Sequence, residues 1–157
     1  MTTRRTFTRF GVKGAVVAAV AAMAVVGCGS MMKPSESNMV AMTTQLRGAN
    51  EVPPNSSTAT GSVDAAFNKD TMQLKWKVNY SGLTGPATMG HFHGPAAVGA
   101  NAGVALGWAN PVASGMDGAA TLTPAQAADL MAGKWYANIH TAAFPAGELR
   151  GQMTVRN

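Results

Sequence analysis

The sequence predicts an all-β protein, a Greek-key-like β-sandwich of about eight strands with one short connecting helix, and three observations predict it. Gly, Ser, Asn and Pro recur between short segments rich in Val, Thr, Trp, Tyr and Phe, the pattern of sandwich and barrel folds. From Met72 to Tyr80, Met, Leu, Trp, Val and Tyr alternate with Gln, Lys, Lys and Asn, so an extended chain there has one apolar face and one wet face. A helix start and stop signal stands only between Thr123 and Gly133.

In chain order, strands are expected at Ala41 to Gly48, Ala59 to Phe67, Met72 to Tyr80, Ala87 to His93, Gly103 to Ala109, Gly118 to Leu122, Lys134 to Thr141 and Glu148 to Arg156. Alternation puts Trp76 and Trp135 in the core and leaves Trp108 undecided. Between the sixth and seventh strands, Thr123 is an N-cap, Pro124 takes the first helical position, Gln126 completes a capping box and Gly133 ends the turn. Such a helix is short and connects strands.

The chain has 157 residues, 12 Lys+Arg against 7 Asp+Glu, 1 Cys and 3 His, which suits one domain behind a leader. Arg4, Arg5, Arg9 and Lys13 precede residue 28 with no acid among them, and without them the net charge is +1. The remaining basic residues are scattered, so no cluster can neutralise a run of phosphates, and nucleic acid is not an expected partner. One cysteine excludes an internal disulfide and a Cys-based zinc site.

Residues 1–27 read as a signal peptide: a basic start, then Gly14 to Gly27, small and apolar but shorter than the roughly 20 residues of a membrane span. Val25-Val26-Gly27-Cys28 resembles the lipobox of bacterial lipoproteins. That resemblance implies cleavage before Cys28, lipidation of Cys28 and a membrane anchor without a spanning helix. Thr3 to Arg9, with paired arginines before Phe7, is similar to a twin-arginine export signal, the general secretory route being the alternative. Residues 28–40 then form the lipidated cysteine and a flexible tether, and 41–157 the domain. The expected location is the bacterial cell envelope, periplasmic or cell-surface. The outer membrane is favoured in a Gram-negative host, because Gly29 stands where an aspartate would signal retention at the inner membrane.

The punctuated segments resemble the CHRD domain, a family named for chordin and found in bacterial exported proteins. The resemblance is carried in order by Leu46 to Pro54, Tyr80 to Gly85, His91-Phe92-His93-Gly94-Pro95-Ala96, Asn101 to Val104, Leu122-Thr123, Asn138 to Thr141 and Phe144 to Gln152. Ala146, Phe92 and Leu149 depart from the residues common there without removing a polar group. The resemblance implies a fold more than an activity.

All three histidines lie in these segments. His91 and His93 project from one strand face roughly 7 Å apart along the chain, a spacing that lets both imidazoles converge on one ion. His140 shares its parity with Tyr136 and Asn138, opposite Trp135, Ala137 and Ile139, just as His91 and His93 oppose Phe92. If the two strands are neighbours, the trio makes a three-histidine site on the face away from the core. Imidazole ligands with an open position suit copper, which is favoured, or zinc. Met89 shares the histidine parity and is a candidate additional ligand for copper(I), although filling space in the core is the commoner role for Met. Glu148 is a candidate to orient or ligate, with an ion pair to Arg47 or Arg150 as the competing role. Glu51 would pair with Glu148 if acid/base chemistry were present, or with an arginine. Only 3 histidines exist, which excludes a two-metal copper–zinc dismutase centre, and no nucleophile elbow or phosphate loop occurs.

Two functions of different class follow. One is a lipid-anchored envelope module that binds copper through His91, His93 and His140, with a copper-dependent oxidoreductase as its catalytic variant. The other is a structural or adhesive domain that holds an envelope protein partner, its histidines serving the fold.

Overall fold

The computed structural model describes residues 38–156. The expected leader 1–27, Cys28 and most of the tether lie outside these residues. Among the described residues there are nine strands: β1 (Met39–Arg47), β2 (Thr60–Asn68), β3 (Gln73–Ser81), β4 (Ala87–His93), β5 (Val104–Gly107), β6 (Asp117–Thr121), β7 (Tyr136–Thr141), β8 (Leu149–Gln152) and β9 (Thr154–Val155). One helix, α1 (Pro124–Met131), joins β6 to β7, and a 3-10 turn at Gly48–Asn50 follows β1. The Thr123–Gln126 capping box is formed in both directions, with Pro124 in the first turn. Among the described residues no helix is long and apolar enough to cross a membrane.

The fold is all-β as expected, but the strands form one curled antiparallel sheet in the order β5-β4-β7-β8-β1-β2-β3-β6, with β9 beside β1. Neighbours β4–β7, β8–β1 and β3–β6 are distant in sequence, which makes the chain cross repeatedly between the two halves. The sheet curls over a shared core. Phe92 of β4 meets Trp76 of β3 edge-on, ring centroids 5.3 Å apart, although four strands separate β3 from β4 in the ladder. Trp108 and Trp135 pack on the same ring at 5.2 and 5.9 Å, so all three tryptophans join the core. The edge-to-face pairs of Phe92 with Trp76 and with Trp108 contribute beyond the area they bury.

The last expected strand, Glu148 to Arg156, is split in two. Met153 is fully buried, and its N–H donates to the Trp135 carbonyl at 2.9 Å. β8 lies between β7 and β1 and pairs with both, while β9, beyond the buried Met153, pairs with β1. β1 begins at Met39, two residues inside the expected tether.

Glycine matters at two close contacts. A Cβ on Gly90 would overlap the Trp108 ring, and one on Gly118 would overlap Trp76. Both tryptophans lie flat across backbone that only a missing side chain leaves open.

Candidate metal centre

β4 and β7 are hydrogen-bonded neighbours, the condition on which the three-histidine reading depended. Their register pairs Met89 with His140, His91 with Asn138 and His93 with Tyr136, while Gly90–Ile139 and Phe92–Ala137 alternate between them. Directly paired residues share a face. Phe92, Ala137 and Ile139 are buried in the core, and their strand neighbours carry the imidazoles on the other side.

The three rings converge. Centroids lie 5.4 Å apart for His91–His93, 5.1 Å for His91–His140 and 6.3 Å for His93–His140. One nitrogen from each lies within 4.8 Å of the others. His91 Nδ1 faces His140 Nε2 at 3.3 Å. The outer nitrogens of the other two rings are tethered: His93 Nδ1 lies 3.0 Å from the Ala102 carbonyl, and His140 Nδ1 lies 3.0 Å from the Pro145 carbonyl. A carbonyl only accepts, so both Nδ1 atoms carry hydrogen, and in the neutral rings both Nε2 atoms present a lone pair. His93 Nε2 is buried with no hydrogen-bond partner. An orphaned lone pair of this kind normally has an explanation such as an ordered water or a bound ion, and a histidine whose other nitrogen donates to a carbonyl is the usual metal-ligating arrangement.

The face carrying the site is less open than alternation implied. His140 is only 6% exposed, and every residue of β7 is buried. Loops close over this face. Tyr136 stacks on His93 at 4.9 Å with a 3° interplanar angle, and its hydroxyl reaches Ala102. Burial is the main reason all three imidazoles are held below the ordinary pKa of 6.5; His91 and His93 are lowered further by neighbouring imidazoles. Neutral imidazole is the form that binds a metal.

Met89 lies across the ladder from His140 and is exposed. Glu148 stands elsewhere than its sequence position suggests. Its fully buried carboxylate accepts from Ser57 Oγ (2.7 Å), Thr84 N (3.0 Å), Thr84 Oγ1 (2.8 Å) and Thr141 Oγ1 (2.6 Å), with no histidine or arginine among these donors. Burial alone would raise its pKa, but the bonds from Thr141, Ser57 and Thr84 hold it below the ordinary value. Three hydroxyls, two of them (Ser57 and Thr84) from distant segments, take the place expected for an arginine or an imidazole.

Glu51 forms no pair with Glu148 and no ion pair with an arginine among the described residues. Its Oε1 accepts from Asn138 Nδ2 at 2.6 Å, and burial pushes its pKa up to about 7 against the opposing pull of Arg150 and Asn138. Arg150 instead donates to Asn101 Oδ1 at 2.7 Å and to the Ala100 carbonyl at 2.5 Å, its guanidinium lying 3.5 Å over the Tyr136 ring. The roles of the Ala102 and Pro145 carbonyls are invisible in the sequence, since a backbone acceptor leaves no mark in residue type. Tyr136 and Asn138 do leave one, in their shared parity with His140.

No curated protein and no solved structure matches the chain. Residues 42–153 match the family described as the CHRD domain, a span that holds all three histidines and all but the ends of the sheet, and the chain belongs to that family.

Proposed function

We propose that this CHRD domain binds one transition-metal ion through His91, His93 and His140, copper in preference to zinc. The observation that carries the reading is the buried, partnerless Nε2 of His93, held beside two other imidazole nitrogens by a backbone bond on the far side of its ring. Left without an ion or an ordered water, that atom would be desolvated at a cost of roughly 1–3 kcal/mol.

Donor chemistry favours copper. The cluster consists of neutral imidazoles with no carboxylate or thiolate among its members. A site without anionic ligands places a smaller electrostatic cost on a monovalent ion than on a divalent one, which favours copper(I). For the divalent ions, nitrogen sites bind copper more tightly than zinc. Met89, across from His140, is a soft donor suited to the same metal as an additional ligand.

The biological setting in this proposal is the bacterial envelope, with Cys28 lipidated and the domain held at the membrane on the periplasmic or outer side. There it sequesters or hands on copper, or passes electrons through it.

Copper and zinc titrations of the full-length chain, beside His91→Ala, His93→Ala and His140→Ala, test the reading. One equivalent of copper, nitrogen hyperfine structure in the copper(II) spin-resonance spectrum and loss of binding in each variant are expected. Absence of stoichiometric metal, or binding indifferent to all three substitutions, overturns it and leaves a domain whose task is a protein partner.

A further inference from the structure

A second group of buried polar residues, Glu51 and Arg150, adjoins the histidine face through Asn138 and Tyr136. A groove of about 530 Å³ runs between the segment 49–54 and the loop at Val98 and Gly99, with Glu51, Arg150 and Gln152 in its wall. Its size falls in the range of small-molecule sites, and apolar side chains with a few convergent polar groups are the usual lining of such sites.

Arg150 is the unusual member. It is 2% exposed, yet the ion pairs found among the described residues are Lys77–Asp117, Lys134–Asp129 and Arg156–Asp64. The partners of its N–H groups are a side-chain amide oxygen and a carbonyl, both neutral. A guanidinium has five N–H donors, so donors remain beyond these two bonds. Buried charges are ordinarily paired. Glu51, 7% exposed in the same wall, is too far away for an ion pair with Arg150, and its Oε2 takes no donor.

We propose that this groove is a ligand site for a small monocarboxylate, with Arg150 supplying the charge, Glu51 a hydrogen bond, and Val52, Pro54 and Val98 the contact for a short apolar tail. One cation calls for one negative charge, which favours a carboxylate over a phosphate, and a planar carboxylate matches the guanidinium fork. Burial raises the Glu51 pKa to about 7, so below neutrality the carboxyl holds a proton that it can donate to an anion beside it. The proposal does not depend on a metal at the histidines.

Sodium butyrate titrated into the isotope-labelled, metal-free full-length chain, followed by nuclear magnetic resonance, tests it, with butylamine and phosphate as controls. Butyrate is expected to move the Arg150 Nε–H, the Gln152 side-chain amide and the Val52 and Val98 backbone signals saturably, while neither control does so. Arg150→Gln should weaken binding at least tenfold. Because Arg150 is buried and that variant risks misfolding, Val98→Asp is the second probe: the position is exposed, and a carboxylate at the groove mouth should weaken butyrate binding several-fold with the fold intact. Shifts confined to surface lysines, equal shifts with phosphate, or an unchanged affinity in Val98→Asp overturn the proposal.

Discussion

Glu51→Gln should stabilise the protein at alkaline pH and do so progressively less as the solution is acidified. In the folded chain the Glu51 pKa is raised from 4.5 to about 7, chiefly by burial. Between those values the folded state keeps a proton that the unfolded state releases. The stability contributed by Glu51 is therefore complete below about 4.5, is lost as pH rises through 7, and changes no further above it. Holding that proton across one pH unit is worth about 1.36 kcal/mol, so the loss over the whole interval is roughly 3 kcal/mol. Glutamine has the same shape, stays neutral and can still accept from Asn138, so the variant escapes this loss. The quantity to measure is the difference in unfolding free energy between variant and parent, from urea titrations of the metal-free chains at pH 4 and pH 8. Glu148 and the histidines also titrate, but in both proteins alike, and so cancel in the difference. An advantage of the variant about 3 kcal/mol larger at pH 8 than at pH 4 is expected. A difference between the two pH values below about 1 kcal/mol would refute the claim that burial of Glu51 outweighs the opposing pull of Arg150 and Asn138.

Other consequences are as direct. Gly90→Ala should cost about 1–3 kcal/mol, read as a lower urea midpoint at constant slope, because the new Cβ overlaps the Trp108 ring. Glu148→Ala strips the shared acceptor from the Ser57, Thr84 and Thr141 hydroxyls and from the Thr84 N–H, and should cost about 3 kcal/mol by the same measurement. In the metal-free protein the ring-proton resonances of His91, His93 and His140 should all titrate with midpoints below 6.5. Since their folded pKa values are depressed, the unfolded chain takes up protons first, and their contribution to stability should fall as pH drops below about 6.5. Copper retention, followed by dialysis at stepped pH, should survive to the same lowered range.

Local signals carried most of the fold. The strand expected at Met72 to Tyr80 forms at Gln73–Ser81, and Ala87–His93 forms as expected, because alternation depends on nothing beyond a strand's own two faces. The helix was legible for a similar reason: Thr123, Pro124 and Gln126 act on the first turn they belong to. The order of strands in the sheet was not legible: β4 beside β7 and β8 beside β1 are pairings between segments far apart in the chain. The break after Gln152 was not legible either, because a methionine between Gln152 and Thr154 reads equally well as one more strand residue. Trp108 was undecided because its packing is settled by Gly90 on another strand.

The site divides along the same line. The convergence of His91, His93 and His140 follows from parity once β4 and β7 are neighbours, and no loop is needed to produce it. What turns three nearby imidazoles into a prepared set of ligands lies in the loops. Thr141 and Glu148 close the β7–β8 connection through a 2.6 Å bond, and the Phe144 and Gly147 N–H groups bond back within it. The turn so fixed presents the Pro145 carbonyl to His140 Nδ1. On the other side, Asn101 and Ala100 hold Arg150, Arg150 lies on Tyr136, and Tyr136 both stacks on His93 and bonds to Ala102, whose carbonyl also fixes His93 Nδ1. The sheet thus sets where the rings stand, and two loops set which nitrogen of His93 and of His140 carries hydrogen. Glu148 contributes to the site by holding a turn in place, from a distance at which it touches none of the three histidines.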